Sequence, residues 1–460
     1  MVIRKISYYR VIVSLCLFMF LLSPVFGDEI SAVSFDKELP ENNIVTIQPD
    51  SLRILHNPLT GWVLYASMGV DAADFWAQYD HMYIPELGHN VSVTDYAHTL
   101  YIRASWTDFN PQEDVYGWKI DSNLRAYIEG AYQRNMRLAF RVVVDSRDKR
   151  TEFTPQFVKD AGAKGFMNKG KWSPYSDDPV FQKYYTKFVK ALAKDFNDPS
   201  KVEFIDGFGL GKWGEYHTMI YSTGDDTPKK AVFDWVTDIY SQAFDKVPVV
   251  INYHRWIGAG KDWVDDEHFA ADSEEMLEEA IKKGYSLRHD AFGMTTYYGS
   301  WERRFAKKYR NICPIIMEGG WIVKSHSYWQ DPRGYRKDSH EDVRRGEFDD
   351  SKEAHVNMMD FRFGDTEFWF KDAFDLVRRF LREGGYRLYP SEISLPLEVS
   401  KKTTPTIKHC WNNMGWGYCP TNIPQWNQKY KVAFALLDSE TNEVRYTFVD
   451  TDTDLSKWIK

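Results

Sequence analysis

Two short stretches carry the residues best placed to do chemistry. "DGFGLGKWGEYH", residues 206–217, spends four glycines to present one acid, Glu215, beside Trp213, Tyr216 and His217. "CPIIMEGGW", residues 313–321, ends an apolar run on Glu318, followed by two glycines and Trp321. Glycine allows a sharp turn and a close approach by a ligand. Two carboxyl groups among aromatic rings suit sugar chemistry, in which one acid protonates a leaving oxygen and the other is ionised and attacks the anomeric carbon. Like-charge repulsion and burial push the two pKa values apart. A lone Glu after a strand is more often a salt-bridged rim residue; the pair is more telling than either member.

The elements that must position these acids follow from the hydropathy pattern. Apolar runs at 61–66, 98–106, 136–146, 202–211, 247–254, 291–299, 313–320 and 355–364 alternate with helix-like segments. The clearest segments are 121–135, 178–196, 272–284 and 365–385, with Asp121, Asp178 and Asp272 where N-caps belong. Repeated strand-then-helix order implies parallel strands. Eight such units predict an α/β fold, a (β/α)₈ TIM barrel over residues 52–384, whose chemistry sits at the C-terminal ends of the strands. An open doubly wound sheet is the alternative, but "GWVLYASMG" is no phosphate loop. Beyond residue 384 the chain turns β-rich, which predicts a small C-terminal β-sandwich over 385–460 that packs on the barrel and is structural. Glu215 then follows strand four and Glu318 ends strand seven. Asp206, nine residues before Glu215, is expected below the mouth.

Composition narrows the partners. The chain has 460 residues, a net charge of −8 and 16% aromatic residues, with 17 Trp, 28 Tyr and 29 Phe. Such aromatic content exceeds what a core needs, and flat rings stack on sugars. The absence of a basic run argues against nucleic acid. The twelve His show no H-E-x-x-H and no paired metal spacing, so no metal or other cofactor is expected. Residues 1–27 read as a signal peptide: Arg4, Lys5 and Arg10 precede an apolar stretch, and Val25 and Gly27 flank a cut before Asp28. An uncleaved anchor is the competing reading of that stretch, and no later segment is apolar enough to span a bilayer. A secreted or periplasmic protein is therefore expected, with residues 28–51 as a polar lead-in. Cys410 and Cys419 could pair across "CWNNMGWGYC", while Cys313 reads as a buried small hydrophobe.

An acid after strand four and another at strand seven resembles the retaining glycosidases of clan A, the β-galactosidase and β-glucanase barrels. "IRASWTDFNPQEDVYGWKID", residues 102–121, is similar to their strand-two segment, with a Trp ahead of an acidic, Pro-containing Gly-Tyr loop. "NPLTGW", "GKWGEYH" and "WNNMGWGYC" look like an uncharacterised family of secreted glycosidase-like proteins, a likeness that covers most of residues 51–460. The resemblance implies Glu215 as acid/base and Glu318 as nucleophile in a retaining glycoside hydrolase that degrades a poly- or oligosaccharide. It also implies Arg103 as a strand-two arginine that holds the nucleophile. One departure stands out: the clan has Asn before the acid/base, where it holds the sugar 2-hydroxyl, and this chain has Gly214.

Further substrate-binding candidates are Trp106, Asp145, Arg147, Trp213, Tyr216, His217, His254, Tyr297, Tyr298 and Trp321. Tyr297 or Tyr298 could hydrogen-bond Glu318. For each the bland reading is an aromatic or ion-paired structural residue. Two other functions remain in view: a non-catalytic carbohydrate-binding barrel, which the missing Asn favours, and an inverting glycosidase with its carboxyls further apart.

Overall fold

A computed structural model of the chain describes residues 42–145, 151–260, 267–293, 297–320, 340–362, 364–397 and 404–459. The expected signal segment, Arg147 and Trp321 lie outside these described residues. Eight parallel strands form a closed barrel: β1 (Gly61–Tyr65), β2 (Ala97–Ser105), β3 (Arg137–Val143), β4 (Val202–Asp206), β5 (Val249–Asn252), β6 (Tyr285–Phe292), β7 (Ile315–Gly319) and β8 (Met358–Asp360). Closure is made by β8 on β1, with Met358, Met359 and Asp360 opposite Gly61, Trp62 and Val63. The strands are followed in turn by helices α1 (Ala72–Asp80), α2 (Ser122–Gln133), α3 (Pro179–Phe196), α4 (Lys229–Ala243), α5 (Glu267–Lys282), α6 (Ser300–Tyr309), α7 (His340–Glu353) and α8 (Phe374–Glu383). This is the predicted (β/α)₈ order. No helix among the described residues is long and apolar enough to cross a membrane.

Local chemistry explains the starts of the early helices. Asp121 caps α2 by accepting from Leu124 N at 2.7 Å, and Asp178 caps α3 by accepting from Phe181 N at 2.8 Å, with Pro179 in the first turn. Asp272 does not cap. Helix α5 begins earlier, at Glu267, and Asp272 instead pairs with Lys229 Nζ at 2.6 Å. Strand β6 also departs from expectation. It lies at 285–292 rather than 291–299, because "SLRHDAF" carries Arg288 and Asp290 into the barrel and so lacks an apolar run. The predicted helix over 365–385 is two pieces, Thr366–Asp372 and α8.

The strands are buried on both faces, which accounts for their apolar runs. Alternate residues divide between two cores. Trp62, Leu64, Ile102, Phe140, Val142, Ile205, Ile251, Leu287 and Met317 face the helices. Val63, Tyr101, Ala139, Phe204, Val250, Ile316 and Met358 fill the barrel interior. Two residues further along the same strands the interior turns polar, with Arg103, Arg141, Asp206, Asn252, Glu318 and Asp360. A period of two residues therefore stacks a polar layer on an apolar floor.

The C-terminal region forms two antiparallel sheets. Strands β9 (Leu388–Pro396) and β10 (Lys408–Asn413) pair with each other, and β11 (Val432–Leu437) pairs with β12 (Val444–Asp450). The lead-in is more than a polar tail: Asn42–Thr46 adds to β9 as an antiparallel strand, since its Ile44, Val45 and Thr46 favour extended backbone. Cys410 is exposed on β10 while Cys419 is buried in the core, and both are free thiols, which answers the open question of their pairing.

The interior floor residues share one apolar cluster with Tyr386, Leu388, Ile393, Cys419, Val432 and Phe434. The β-region thus plugs the N-terminal end of the barrel, away from the acids. Hydrogen bonds tie it to the approaches of β1, β7 and β8: Tyr386 OH to Pro58 O (2.7 Å), Asn422 Nδ2 to Ile312 O (2.7 Å) and Asn357 Nδ2 to Tyr418 O (2.9 Å). A chain ending at Gly385 uncovers the floor around Phe204, Ile316 and Met358. It is expected to aggregate, as read by light scattering and size-exclusion chromatography. A monodisperse, cooperatively melting truncated barrel would contradict this role of the plug.

Candidate active site

Glu215 is reached by a segment that coils back on itself after β4. Lys212 N donates to His217 O (3.0 Å), Tyr216 N to Leu210 O (2.9 Å) and Trp213 N to Asp145 O (3.0 Å). Gly209 (φ +81°) leaves no room for a side chain, because a Cβ there would meet Val142 O at 2.5 Å. Gly214 is at φ +77°, with Gly209 Cα 3.3 Å from where its Cβ would be. An Asn at 214 would be strained and would press on that backbone, which suits glycine at this position. Trp213 and Tyr216 also adopt φ near +60°. Aromatic residues rarely adopt that conformation, and here the strain flanks the acid on both sides.

Glu215 and Glu318 are both buried, at 2% and 3% exposure, and both meet the same arginine. Arg141, from the middle of β3, places Nη1 3.0 Å from Glu215 Oε1 and Nη2 3.7 Å from Glu318 Oε2. That shared guanidinium keeps the nearest carboxylate oxygens within about 9 Å of each other. Its Nε is 2.5 Å from Asp206 Oδ2, which also accepts from Tyr101 OH at 3.0 Å. Asp206 therefore lies below the acids, on the barrel side of Arg141, as expected. Arg288 on β6 pairs with Glu318 and reaches Asp360 Oδ2 at 2.9 Å.

Burial raises the proton affinity of every carboxyl here, and the donors decide which ones stay ionised. For Glu215, burial is outweighed by hydrogen bonds from His217 and Asp290 and by the charges of Arg141 and Arg103, and the pKa falls to about 2. For Glu318, burial is outweighed by Arg288, Arg141 and Arg103, and the shift is downward. Asp290 and Asp360 go the other way. Burial raises each, and the neighbouring charge of Glu215 or Glu318 adds to it.

The predicted site residues divide into three groups. Those that meet at the mouth are Arg103, Trp213, His217, His254 and Tyr297. Arg103 lies nearer the other acid than expected: its Nη2 is 3.7 Å from Glu215 Oε1 and donates to Trp213 O at 3.1 Å, while Nη1 reaches Tyr65 OH at 3.3 Å. At Glu318 the ion pairs are made by Arg288 and Arg141, and Arg103 adds its charge from further off. His217 Nε2 is 3.3 Å from Glu215 Oε2. His254 accepts from Trp256 N at Nδ1 (3.1 Å), which leaves Nε2 to donate to the backbone oxygen of Glu215 (2.7 Å). The Tyr297 ring lies 6.2 Å from His217 and 5.5 Å from His289.

Asp145 stands apart as a brace. It accepts from Ser173 Oγ (3.0 Å) and Trp213 N, and so ties the end of β3 to the Glu215 turn. The third group belongs to the core. Trp106 is fully buried among Phe181, Tyr185 and Phe188, behind the strands. Tyr216 turns its ring onto Phe208 and Phe233 and donates to Lys229 O at 3.0 Å, because its left-handed backbone points it away from the mouth. Tyr298 stacks on Phe292 and lies beside Arg303.

Sequence reasoning missed Arg141, Arg288, Asp290, Asn252 and Asp360. The signal was present for Arg141, Asn252 and Asp360, each a polar residue within or ending an apolar strand, while β6, which carries Arg288 and Asp290, has no apolar run. Without the strand boundaries their register with the acids was not readable.

The molecule is thus a (β/α)₈ barrel with an arginine-bridged carboxylate pair at its C-terminal mouth. No family model matches the chain, and no curated protein matches it in sequence. Among solved structures it is similar to the exo-β-1,4-mannosidase Op5Man5 from Opitutaceae bacterium strain TAV5, at 12% identity over 71% of this chain (TM-score 0.41), and spans 55% of that chain's length. It is also similar to endo-glycoceramidase II from Rhodococcus sp., at 13% identity over 76% of this chain and 83% of that one (TM-score 0.40). The endoglucanase Cel5A of Pseudomonas stutzeri gives 9% identity over 70% of this chain and 94% of that one (TM-score 0.40). The barrel rests on its own strand order, to which these likenesses add nothing.

Proposed function

We propose that this chain is an exported glycoside hydrolase that cleaves a poly- or oligosaccharide with retention, with Glu318 as nucleophile and Glu215 as acid/base. One observation carries the reading: two buried carboxylates, one after β4 and one at the end of β7, meet at one barrel mouth, joined by a single guanidinium. A nucleophile must be ionised, and Arg288 and Arg141 hold Glu318 in that form. Arg141 enters from the barrel side, where its Nε meets Asp206, so it does not take the outer approach a sugar would use. Trp213, half-buried, and Tyr297, buried, both pack against the His217 ring, at 5.6 and 6.2 Å.

A second reading has its own support. Glu215 with a pKa of about 2 has no proton of its own to give at neutral pH, which suits a barrel that binds sugar without cleaving it. Purified protein incubated with a panel of aryl glycosides and plant and host glycans separates the two, since a binding barrel releases no sugar from any of them. On a substrate that is cleaved, Glu215→Ala is expected to lower kcat/KM by about 10²–10⁴-fold for poor leaving groups and far less for dinitrophenyl glycosides. Azide is expected to restore part of the lost turnover and to yield a glycosyl azide of retained configuration. An equal loss on both leaving-group classes would remove Glu215 from the acid/base role.

A further inference from the structure

We propose that Asp290 holds the proton that Glu215 delivers, so that the acid of this site is a two-carboxyl unit sharing one proton. The inference rests on the glycosidase reading above and adds a residue to it. Asp290 projects from β6 and is hydrogen-bonded to Glu215 through the side chains. Two carboxyl groups in hydrogen-bond contact must have a proton between them. The surroundings decide where it rests. Glu215 faces two cations, Arg141 Nη1 at 3.0 Å and Arg103 Nη2 at 3.7 Å, and the ring of His217 at 3.3 Å. Asp290 faces a neutral amide, Asn252 Nδ2 at 3.3 Å on β5, and the His289 ring beside it, which burial keeps neutral with a pKa of about 3. The charge of Arg141 also reaches Asp290, and across the mouth Glu318 opposes a second anion. The proton therefore sits on Asp290 and is donated to Glu215, consistent with the raised pKa of Asp290.

The balance is simple. In the first step the single proton moves from Asp290 to Glu215 and on to the leaving oxygen, the C1–O bond breaks, and Glu318 bonds to C1. Both carboxyls are then anionic beside Arg141 and Arg103. In the second step water bonds to C1, the ester to Glu318 breaks, and the proton lost by water returns to the pair.

The test is the pH profile of kcat/KM on a substrate with a poor leaving group. Asp290→Asn leaves Glu215 to hold the proton alone, against two arginines. The basic limb is expected to move to lower pH by more than one unit, with a loss of about 10²-fold at pH 7. Turnover of dinitrophenyl glycosides should fall less than about threefold. Asp290→Glu, which keeps an ionisable group, should hold the limb near its wild-type place. Asn252→Ala offers an independent reading. It removes a donor that favours ionised Asp290, so the limb should move to higher pH, a shift that packing loss alone does not produce. This variant also serves if Asp290→Asn does not fold. A limb that stays at the wild-type pH in the folded variants overturns the role of Asp290 while Glu318→Ala remains inactive. An active Glu318→Ala instead overturns the assignment of Glu318 as nucleophile, on which this reading rests.

Discussion

Glu318→Ala is expected to abolish turnover of every glycoside that the native protein cleaves. Without the carboxylate no covalent intermediate forms, and the loss should be about 10⁴-fold or more in kcat. Leaving group should make no difference, in contrast to Glu215→Ala, because bond formation at C1 is lost as well as proton transfer. The stronger check is chemical. A 2-fluoro glycoside of the matching sugar should label the wild-type protein once, on the peptide that contains Glu318, and leave Glu318→Ala unlabelled in intact-mass spectra. The variant should also keep most of its fold. Removing Glu318 leaves Arg141 with Asp206 and Glu215, and leaves Arg288 with Asp360. Wild-type turnover by Glu318→Ala, on a substrate whose cleavage is traced to this protein, would place the nucleophile elsewhere.

The second large effect concerns stability. Arg141→Met is expected to cost about 3–5 kcal/mol in urea unfolding, because one fully buried cation answers Asp206, Glu215 and Glu318. Breaking a buried pair leaves the partner charge uncompensated, and here three partners lose it together. The sign of the pH dependence follows from Glu215. Its folded pKa, about 2, lies below the ordinary 4.5, so in the wild type its ion pairs stabilise fully above pH 4.5 and lose that contribution as pH falls towards 2. In the variant, burial without the arginine raises the carboxyl pKa values, so protonation stabilises it as pH falls. The gap between the two proteins should be widest near neutrality and narrow in acid. A variant that unfolds with the wild type at pH 7 would mean that Arg141 is not what holds these acids ionised. Arg141→Met with Asp206→Leu should recover part of the loss, since the second change removes one of the stranded anions.

Much of the molecule was determined by local sequence. Seven apolar runs that fall on strands, separated by amphipathic segments, are enough to point to a parallel barrel, because each return to the sheet needs a crossover and the strands are buried on both faces. Glu215 and Glu318 were legible for the same reason, as acids just past apolar runs, flanked by glycine. So was the change to β-structure after α8. What the sequence did not determine is which side chains face one another across the barrel. Strand β6 was placed late in the chain because Arg288 and Asp290 break its apolar pattern, and that break is the feature that makes it functional. Trp106, Tyr216 and Tyr298 carry the residue types of a sugar site, yet backbone direction turns each into the core. The ion pairs of Arg141 and Arg288 join residues on or just after β3, β4, β6 and β7 that lie 30 to 177 positions apart. Their meeting depends on the barrel closing in one register, since a shift of one residue would exchange the polar layer for residues that face the helices. Strand existence is a local property of the chain; protonation of the acids is set by charges brought together from more than half the strands, which only the closed barrel decides.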